Sequence, residues 1–285
     1  MTEKQALQKM WEDIRLRGLS ESTFENYTRN VKAFFKFCNR PIAELNENDV
    51  RRFLQYLIVE KKRAPRTVNQ HSSAIRFFFA VGLNRAMNYL QIPLMKVPKE
   101  LPDILTKEEC NQLINVCKNA KHKAILLLAY GSGLRAGEIS ALRVNDIDSK
   151  QMRIMVKGGK NKRDHYTLLS QNTLDALRDY WRKYRPNSPE GWLFPDTKNI
   201  GHINRAAIAS AFNNCVAQTT ITKEVSTHSL RHAFATHLLE DGVELMKIKE
   251  LLGHYCISST MVYLHLVNTT KGITSPADTM VPAND

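Results

Sequence analysis

Residues 228–242, HSLRHAFATHLLEDG, place several phosphate-binding side chains at the start of one amphipathic segment. Leucine and phenylalanine recur every four residues, which predicts a helix with an apolar face, and a glycine follows as a C-terminal stop. At about 100° per residue, His228, Arg231 and His232 share one face, whereas His237 points about half a turn away. The helix N-terminus adds positive potential and free N–H groups. The segment therefore predicts a site for an anionic oxygen group, unless it is an ordinary capped helix with incidental histidines.

The spacing of His228 and His232 would also suit a zinc ion, because residues four positions apart lie on one side of a helix. The sequence lacks the glutamate of an HExxH motif and contains no CxxC pair. A cation, Arg231, lies between the two histidines and would repel a metal ion. The pattern therefore disfavours a zinc site.

A second candidate is GSGLRAGEIS, residues 131–140, in which Arg135 and Glu138 are three positions apart. That spacing lets the carboxylate orient the guanidinium on a helix. The glycines do not follow GxGxxG and no strand precedes them, which argues against a dinucleotide-binding loop. We expect either an oriented arginine or an ordinary surface ion pair.

Two further segments carry reactive side chains. The polar stretch VKGGKNKRDH joins two β-rich runs, which predicts a hairpin, and it does not match GxxxxGK[ST]. Its lysines form either a solvated basic turn or a loop that delivers one lysine to a DNA phosphate.

In LLGHYCISSTMVYLHL, Tyr263 follows His254 by nine residues. A tyrosine flanked by apolar residues is commonly a core residue, so this pair alone does not indicate chemistry.

Together, these side chains suit phosphodiester exchange. Arginines hold phosphates through paired hydrogen bonds, and a lysine can donate a proton to a leaving oxygen. Histidines exchange protons at neutral pH, and a tyrosine hydroxyl can be a covalent nucleophile. The cations would stabilise a pentavalent phosphate where Mg²⁺ otherwise serves. The combined set predicts a reaction that needs no metal ion.

The charge of the chain fits a polyanionic partner. A net charge of +13 and a pI of about 9.5 favour nucleic acid or an acidic membrane surface. Five scattered cysteines without a CxxC pair fit a reducing cytosol. The N-terminus lacks the apolar run of a signal peptide, and no stretch approaches the roughly 18 apolar residues of a membrane span. We therefore expect a cytoplasmic protein with no membrane partner.

Helical periodicity dominates the first part of the chain. Residues 1–91 predict a small helical bundle, with a capping box from Ser22 to Glu25 and with Pro65 in a first helical turn. Residues 92–103 hold three prolines and no clean period, which predicts a linker.

Residues 104–285 predict a mixed α+β domain. Thr106 and Glu109 form a second capping box, and MRIMVKG and HYTLL predict the two strands of the hairpin. A last helix is expected in SSTMVYLHL, followed by an irregular polar tail. The other helices are expected at about 107–118, 120–132, 171–185, 203–217, 227–240 and 243–252.

With these motifs in this order, the sequence resembles the tyrosine recombinase (phage integrase) family, most closely its compact Xer-like members. GLRAGEIS is similar to the family's first arginine box, and HSLRHAFATHLLEDG followed by IKELLGHYCISSTMVYLHL is similar to its second. The order Arg, Lys, His-x-x-Arg, His, Tyr is more specific than any single motif. The resemblance covers nearly the whole chain. It implies a mainly α fold, with a helical, SAM-like core-binding domain (1–91), a linker (92–103) and an α+β catalytic domain with a small β-hairpin or sheet (104–285).

The resemblance also implies roles for the charged candidates. Arg135 and Arg231 would hold the scissile phosphate, and Glu138 would support Arg135. His228 and His254 would hydrogen-bond the phosphate oxygens, with His228 as the general base for the tyrosine.

By the same resemblance, Tyr263 would attack the phosphate, forming a 3′-phosphotyrosyl link and freeing a 5′-hydroxyl. Aligning GKNKRDHYTLL with the family's hairpin makes Lys160 the general acid, and Lys157 and Lys162 stay as alternatives. The phosphotyrosine conserves the bond energy, so the reaction would need no metal, no cofactor and no ATP.

The implied partner is double-stranded DNA carrying a recombination site with inverted binding repeats. Four copies of the chain would form a synapse there and pass through a Holliday junction, with a second recombinase or an accessory protein as a further potential partner. We expect the protein in the cytoplasm of a prokaryote, at the nucleoid. The absence of an added arm-binding domain argues against the larger phage integrases.

Some features depart from the family pattern. Tyr255 and Cys256 replace small hydroxyl residues, and two prolines after Tyr263 put the exchange of a C-terminal helix between subunits in doubt. Two other functions stay open, a type IB topoisomerase-like enzyme and a non-catalytic DNA-binding derivative. The biological role also stays open among chromosome dimer resolution, transposon resolution and integration of a mobile element.

Overall fold

The chain divides into two compact units, residues 1–100 and 101–285. The predicted domain boundaries at residues 91 and 103 stay predictions. Lys160, Lys162 and the C-terminal tail lie outside the described residues. The computed structural model describes residues 2–85, 87, 92–98, 103–158 and 164–266. Within these ranges, no helix is long and apolar enough to cross a membrane.

The N-terminal unit is a helical bundle around buried aromatic rings, as predicted. Phe34 lies with its ring centroid 5.5 Å from that of Phe53 and 6.3 Å from that of Phe79. Pro65 begins the fourth helix, where its missing N–H and fixed φ are tolerated. The elements are α1 (Glu3–Leu16), α2 (Glu21–Cys38), a 3-10 turn (Ile42–Glu44), α3 (Glu47–Val59), α4 (Pro65–Phe77) and a π-helical turn (Phe78–Gly82).

The start of α2 differs from the prediction. Ser20 caps this helix, with an extended backbone and an Oγ that accepts a hydrogen bond from the Thr23 N–H at 3.3 Å. The predicted capping box of Ser22 and Glu25 is therefore wrong. The helix begins two residues earlier because Ser20 offers an equally good cap, and the earlier start places Glu21 in the first turn, where the helix dipole favours an acid.

The second unit combines helices with a small sheet, which confirms the predicted mainly α fold with an α+β second part. At the first helix of this unit, Thr106 and Glu109 exchange side-chain to backbone hydrogen bonds, so this predicted capping box is confirmed. The helices are α5 (Lys107–Val116), α6 (Ala120–Gly131), α7 (Ala136–Ser140), α8 (Gln171–Tyr184), α9 (Arg205–Val216), α10 (Thr227–Glu240), α11 (Leu245–Leu251) and α12 (Ser258–Met261), which continues as a 3-10 turn (Val262–His265).

The sheet of the second unit is antiparallel and contains the predicted hairpin. Strand β2 (Arg153–Val156) pairs on one side with β3 (His165–Leu168) and on the other with β1 (Ile147–Asp148). The hairpin of β2 and β3 confirms the prediction. β1 was not predicted, because two residues are too few to show an alternating pattern.

Helix α6 lies at the centre of the second unit and brings the candidate residues together. Residues 124–129 of α6 are all buried, so other elements must enclose this helix on every side. α8 and α10 pack against it, and α10 also contacts the turn that carries Tyr263. The side chains of α10 therefore lie between the end of α6 and the tyrosine.

Candidate active site

The first arginine box forms a fixed ion pair at the start of α7. Nη1 of Arg135 donates to Oε1 of Glu138 at 2.6 Å, and the Arg135 backbone N–H donates to Oε2 at 2.8 Å. The Glu138 side chain is 7% exposed, whereas that of Arg135 is 29% exposed. The predicted pair therefore exists, with a buried carboxylate that orients an arginine still accessible to a ligand.

Glu138 also contacts the second arginine, which the sequence did not reveal. Nη1 of Arg231 lies 3.3 Å from Oε2 of Glu138. Burial alone would raise the pKa of Glu138, but the charge of Arg231 and the bonds from Arg135 outweigh it and hold that pKa below its usual value. One carboxylate therefore aligns the two arginines.

Arg231 is 1% exposed, and two backbone carbonyls accept hydrogen bonds from its guanidinium group. Nη1 donates to the Gly133 carbonyl and Nη2 to the Leu252 carbonyl, each at 2.7 Å. Burial first, then the charge of Arg135, lowers the pKa of Arg231 to about 10, so the guanidinium stays charged at neutral pH. These bonds fix the position of the cation.

Gly133 permits this close approach. Its φ of +64° is the left-handed region, and a Cβ there would lie 2.4 Å from the Phe234 ring. The glycine therefore allows the turn after α6 to pass directly over α10 and to present its carbonyl to Arg231.

Tyr263 lies in the same site, and its hydroxyl contacts a histidine. The residue is 2% exposed, and its Oη lies 3.2 Å from Nδ1 of His232. Burial raises the pKa of Tyr263, although the charges of Arg231 and Arg135 oppose this effect. The phenol is therefore neutral at neutral pH and needs a base before it can attack.

His254 stacks beside Tyr263 in a fixed orientation. The two rings are nearly parallel at 8°, with centroids 6.5 Å apart. Nδ1 of His254 lies 2.8 Å from Oγ1 of the fully buried Thr260, which leaves Nε2 available for a ligand. Burial, followed by the charges of Arg231 and Arg135, lowers the pKa of His254 to about 4, so the ring is neutral at pH 7.

His228 lies at the edge of the site. Its side chain is partly accessible to solvent, and its ring packs edge-on against His232 with centroids 4.4 Å apart. Partial burial of the ring by the surrounding protein, followed by the charges of His232 and Arg231, lowers the pKa of His228 to about 4. Within the described part of the chain, His228 makes no hydrogen bond with the Tyr263 hydroxyl.

The remaining candidates lie elsewhere or outside the described residues. His237 is buried on another face of α10, where its Nδ1 lies 3.0 Å from the Tyr130 hydroxyl. Lys157 pairs with the buried Asp146 at 2.5 Å, at the base of the hairpin. Lys160 and Lys162 follow within residues 159–163, which the structure does not describe.

Two residues of the site were missed or undervalued by sequence reasoning. Thr260 gave no signal beyond its position three residues before Tyr263. His232 was noted on the active face of α10, but its partner lies 31 residues away in the chain. Both contacts arise from packing between elements, which local spacing does not encode.

We expect Thr260→Val to slow DNA cleavage about tenfold. Valine keeps the volume of threonine but leaves Nδ1 of His254 without its hydrogen-bond partner, at a cost of about 1–3 kcal/mol. The ring can then adopt the other tautomer or rotate away from the phosphate. Strand cleavage in a single turnover measures the effect, and Ser259→Ala is the matched control because Ser259 is exposed and has no contact with His254. Equal rates for both variants would contradict a role for Thr260.

Comparisons with known proteins show related sequences and a shared fold. Residues 103–269 match the Phage integrase family, and residues 6–88 match the Phage integrase, N-terminal SAM-like domain. An integrase/recombinase of Sinorhizobium fredii is 38% identical over 96% of this chain and 89% of that protein. The tyrosine recombinase XerA of Pyrococcus horikoshii is 33% identical over 90% of this chain and 87% of that protein. The solved structure of the Tn1549 transposon integrase in complex with a circular intermediate DNA shares the fold, with a TM-score of 0.73 over 91% of this chain and 94% of that chain at 17% identity.

Proposed function

Because this chain belongs to the phage integrase family of tyrosine recombinases, we propose that it is a site-specific DNA recombinase that uses Tyr263 as its nucleophile. The observation that carries this proposal is the position of the Tyr263 hydroxyl. This hydroxyl lies in the second unit, together with Arg135, Arg231 and His254 of the same chain. This set of groups can hold a phosphodiester and attack it.

In the proposed reaction, Arg135 and Arg231 bind the non-bridging oxygens of the scissile phosphate. Glu138 keeps the two guanidinium groups in register, and His254 donates an Nε2 hydrogen bond to the same phosphate. His228, at the open edge of the site, hydrogen-bonds a phosphate oxygen from the solvent side. These donors are in place before the substrate binds, so little reorganisation is needed as charge develops.

Tyr263 then attacks phosphorus, and the bond from phosphorus to the 5′ oxygen breaks. The product is a 3′-phosphotyrosyl link with a free 5′-hydroxyl on the other strand end. A 5′-hydroxyl from a second duplex reverses the step and restores a DNA phosphodiester. Since the bond energy is kept in the phosphotyrosine, the proposed reaction needs neither ATP nor a metal ion.

We propose that Lys160 is the general acid that donates a proton to the leaving 5′ oxygen. Lys160→Ala should slow cleavage of ordinary DNA by about 10²–10⁴, the usual range for a general acid. With a 5′-bridging phosphorothiolate the leaving sulfur needs no proton, so the deficit should shrink to less than about tenfold. Lys157→Ala and Lys162→Ala are the matched controls. If the phosphorothiolate substrate rescues Lys157→Ala or Lys162→Ala instead of Lys160→Ala, the lysine replaced in that variant is the general acid.

The DNA partner is proposed to carry two inverted repeats around a short central region, bound by the chain in pairs and joined in a tetrameric synapse. The N-terminal unit would contribute DNA contacts, because residues 1–100 hold 18 Lys+Arg against 10 Asp+Glu. We place the action of the protein at the nucleoid. A role in moving a mobile element is one proposal, with chromosome dimer resolution and transposon resolution as the others.

The DNA site can be obtained by selecting random-sequence duplexes that the protein binds. We call the recovered sequence, with its inverted repeats, the selected duplex. A recombinase should exchange strands between two copies of the selected duplex and leave a supercoiled plasmid without that site unchanged. A topoisomerase-like enzyme would relax any supercoiled plasmid, and a non-catalytic derivative would bind the duplex without cutting it. Either of these two results would overturn the proposed function.

A further inference from the structure

His232 contacts the hydroxyl of the proposed nucleophile, Tyr263, directly. Its Nδ1 lies 3.2 Å from the Tyr263 hydroxyl oxygen, within hydrogen-bond distance. The ring of His228, one helical turn earlier, contacts the His232 ring instead. Of these two histidines, the one that the sequence ranked lower is therefore next to the reacting atom.

Packing fixes the contact between His232 and Tyr263. Helix α10 places Phe234 and Ala235 in a buried cluster with Tyr263, together with Leu252. His232 precedes these residues on α10, and its ring reaches the hydroxyl at the end of the Tyr263 side chain. The two rings have centroids 5.6 Å apart and are tilted by 58°, and Nδ1 of the imidazole lies within hydrogen-bond distance of the phenol oxygen.

The electrostatic surroundings keep His232 able to accept a proton. Burial, followed by the charge of Arg231, lowers the pKa of His232, so the ring is neutral at neutral pH. A neutral imidazole has one nitrogen with a free lone pair. If Nδ1 carries that lone pair, the phenol O–H donates to it, and Nε2 carries the ring hydrogen.

We propose that His232, rather than His228, is the general base that takes the proton of Tyr263 during cleavage. As the phenol oxygen forms its bond to phosphorus, its proton passes to Nδ1 of His232. The bond from phosphorus to the 5′ oxygen breaks, and that oxygen takes a proton from the hairpin lysine. In the rejoining step the attacking 5′-hydroxyl gives its proton back to the lysine, and the protonated His232 returns its proton to the leaving tyrosine oxygen. The inference rests on the proposed cleavage by Tyr263.

A second pair on the same helix provides the control. Nδ1 of His237 lies 3.0 Å from the Tyr130 hydroxyl, so α10 carries two histidine–tyrosine hydrogen bonds of similar length. His237 is buried and Tyr130 is half-buried, and the pair has no part in the proposed reaction. If the contact of His232 merely satisfied a buried hydroxyl, the two pairs would be equivalent.

The test uses the full chain and a selected duplex that carries a nick next to the cleavage position and a 5′-bridging phosphorothiolate. The nick lets the short cleaved strand diffuse away and traps the covalent adduct, and the sulfur removes the need for an acid. We expect His232→Ala and His232→Gln to slow adduct formation by about 10²–10⁴. Glutamine can keep a hydrogen bond to the phenol but cannot take its proton. His237→Gln should react at the wild-type rate.

Rescue of the nucleophile separates a base from a positioning residue. A fluorinated tyrosine with a lower phenol pKa, incorporated at position 263, ionises without a base. In that background the deficit of His232→Gln should shrink to less than about tenfold, while any deficit of His228→Ala should stay unchanged. A wild-type rate for His232→Gln, or rescue of His228→Ala in place of His232→Gln, would overturn the proposal. Absence of any adduct with the wild-type chain would instead overturn the proposed function.

Discussion

Replacing Arg231 by alanine should abolish measurable DNA cleavage and lower the free energy of unfolding of the second unit by about 3–5 kcal/mol. The side chain is 1% exposed and connects three elements through Gly133, Glu138 and Leu252. Its removal takes this donor from two buried carbonyls and leaves the buried carboxylate of Glu138 with Arg135 but without Arg231. Loss of a fixed cation at the phosphate should by itself slow cleavage by at least about 10²–10³.

Two further variants separate the loss of stability from the loss of chemistry. Arg231→Lys keeps a charge but cannot reach both carbonyls, so it should fold better than the alanine variant and still cleave slowly. Arg182→Ala removes an exposed arginine that pairs with Asp179 and donates weakly to the Arg178 carbonyl, and it should change stability by less than about 1 kcal/mol. Denaturant unfolding and single-turnover cleavage measure both effects. An Arg231→Ala variant with normal stability and a normal cleavage rate would refute the role of this arginine.

Tyr263→Phe should eliminate covalent adduct and strand cleavage altogether while DNA binding persists. The substitution removes a single oxygen and keeps the buried ring in its contacts with Phe234 and Leu252. The lost hydrogen bond to His232 is worth about 0.5–1.5 kcal/mol, so the variant should fold. Phenylalanine has no oxygen with which to attack phosphorus.

Tyr130→Phe is the matched control for this prediction. It also removes a partly buried tyrosine oxygen bonded to a histidine on α10, but its partner is His237, outside the site. We expect similar small changes in stability for Tyr130→Phe and Tyr263→Phe, with normal cleavage only for the former. Both proteins should bind the selected duplex with the steep salt dependence of phosphate contacts. Residual adduct with Tyr263→Phe would show that another residue attacks.

The order of the motifs carried most of what could be predicted. The pair of Arg135 and Glu138 follows from a three-residue spacing, and the structure contains it. The contact of Glu138 with Arg231 joins residues 93 positions apart and depends on how α7 meets α10. Local spacing cannot report such a contact. For the same reason, the sequence favoured His228 as the partner of the tyrosine and did not identify His232 as its neighbour.

The fold shows the same division between local and long-range information. Helix positions followed from apolar periodicity, and Thr106 capped α5 as expected. The cap of α2 was misplaced because Ser20 and Ser22 are both good caps, and the choice depends on which start extends the helix. The short strand β1 exists because β2 pairs with it, not because its own sequence favours a strand.

The most direct test of the account is to identify the residue and the DNA end joined in the covalent adduct. The wild-type chain is incubated with the nicked selected duplex in EDTA, the adduct is digested with nuclease and protease, and the peptides are analysed by mass spectrometry. We expect a nucleotide attached through its 3′ phosphate to the peptide that contains Tyr263. A nucleotide on any other residue, attachment through a 5′ phosphate, or an adduct that forms only when a metal ion is supplied would contradict it.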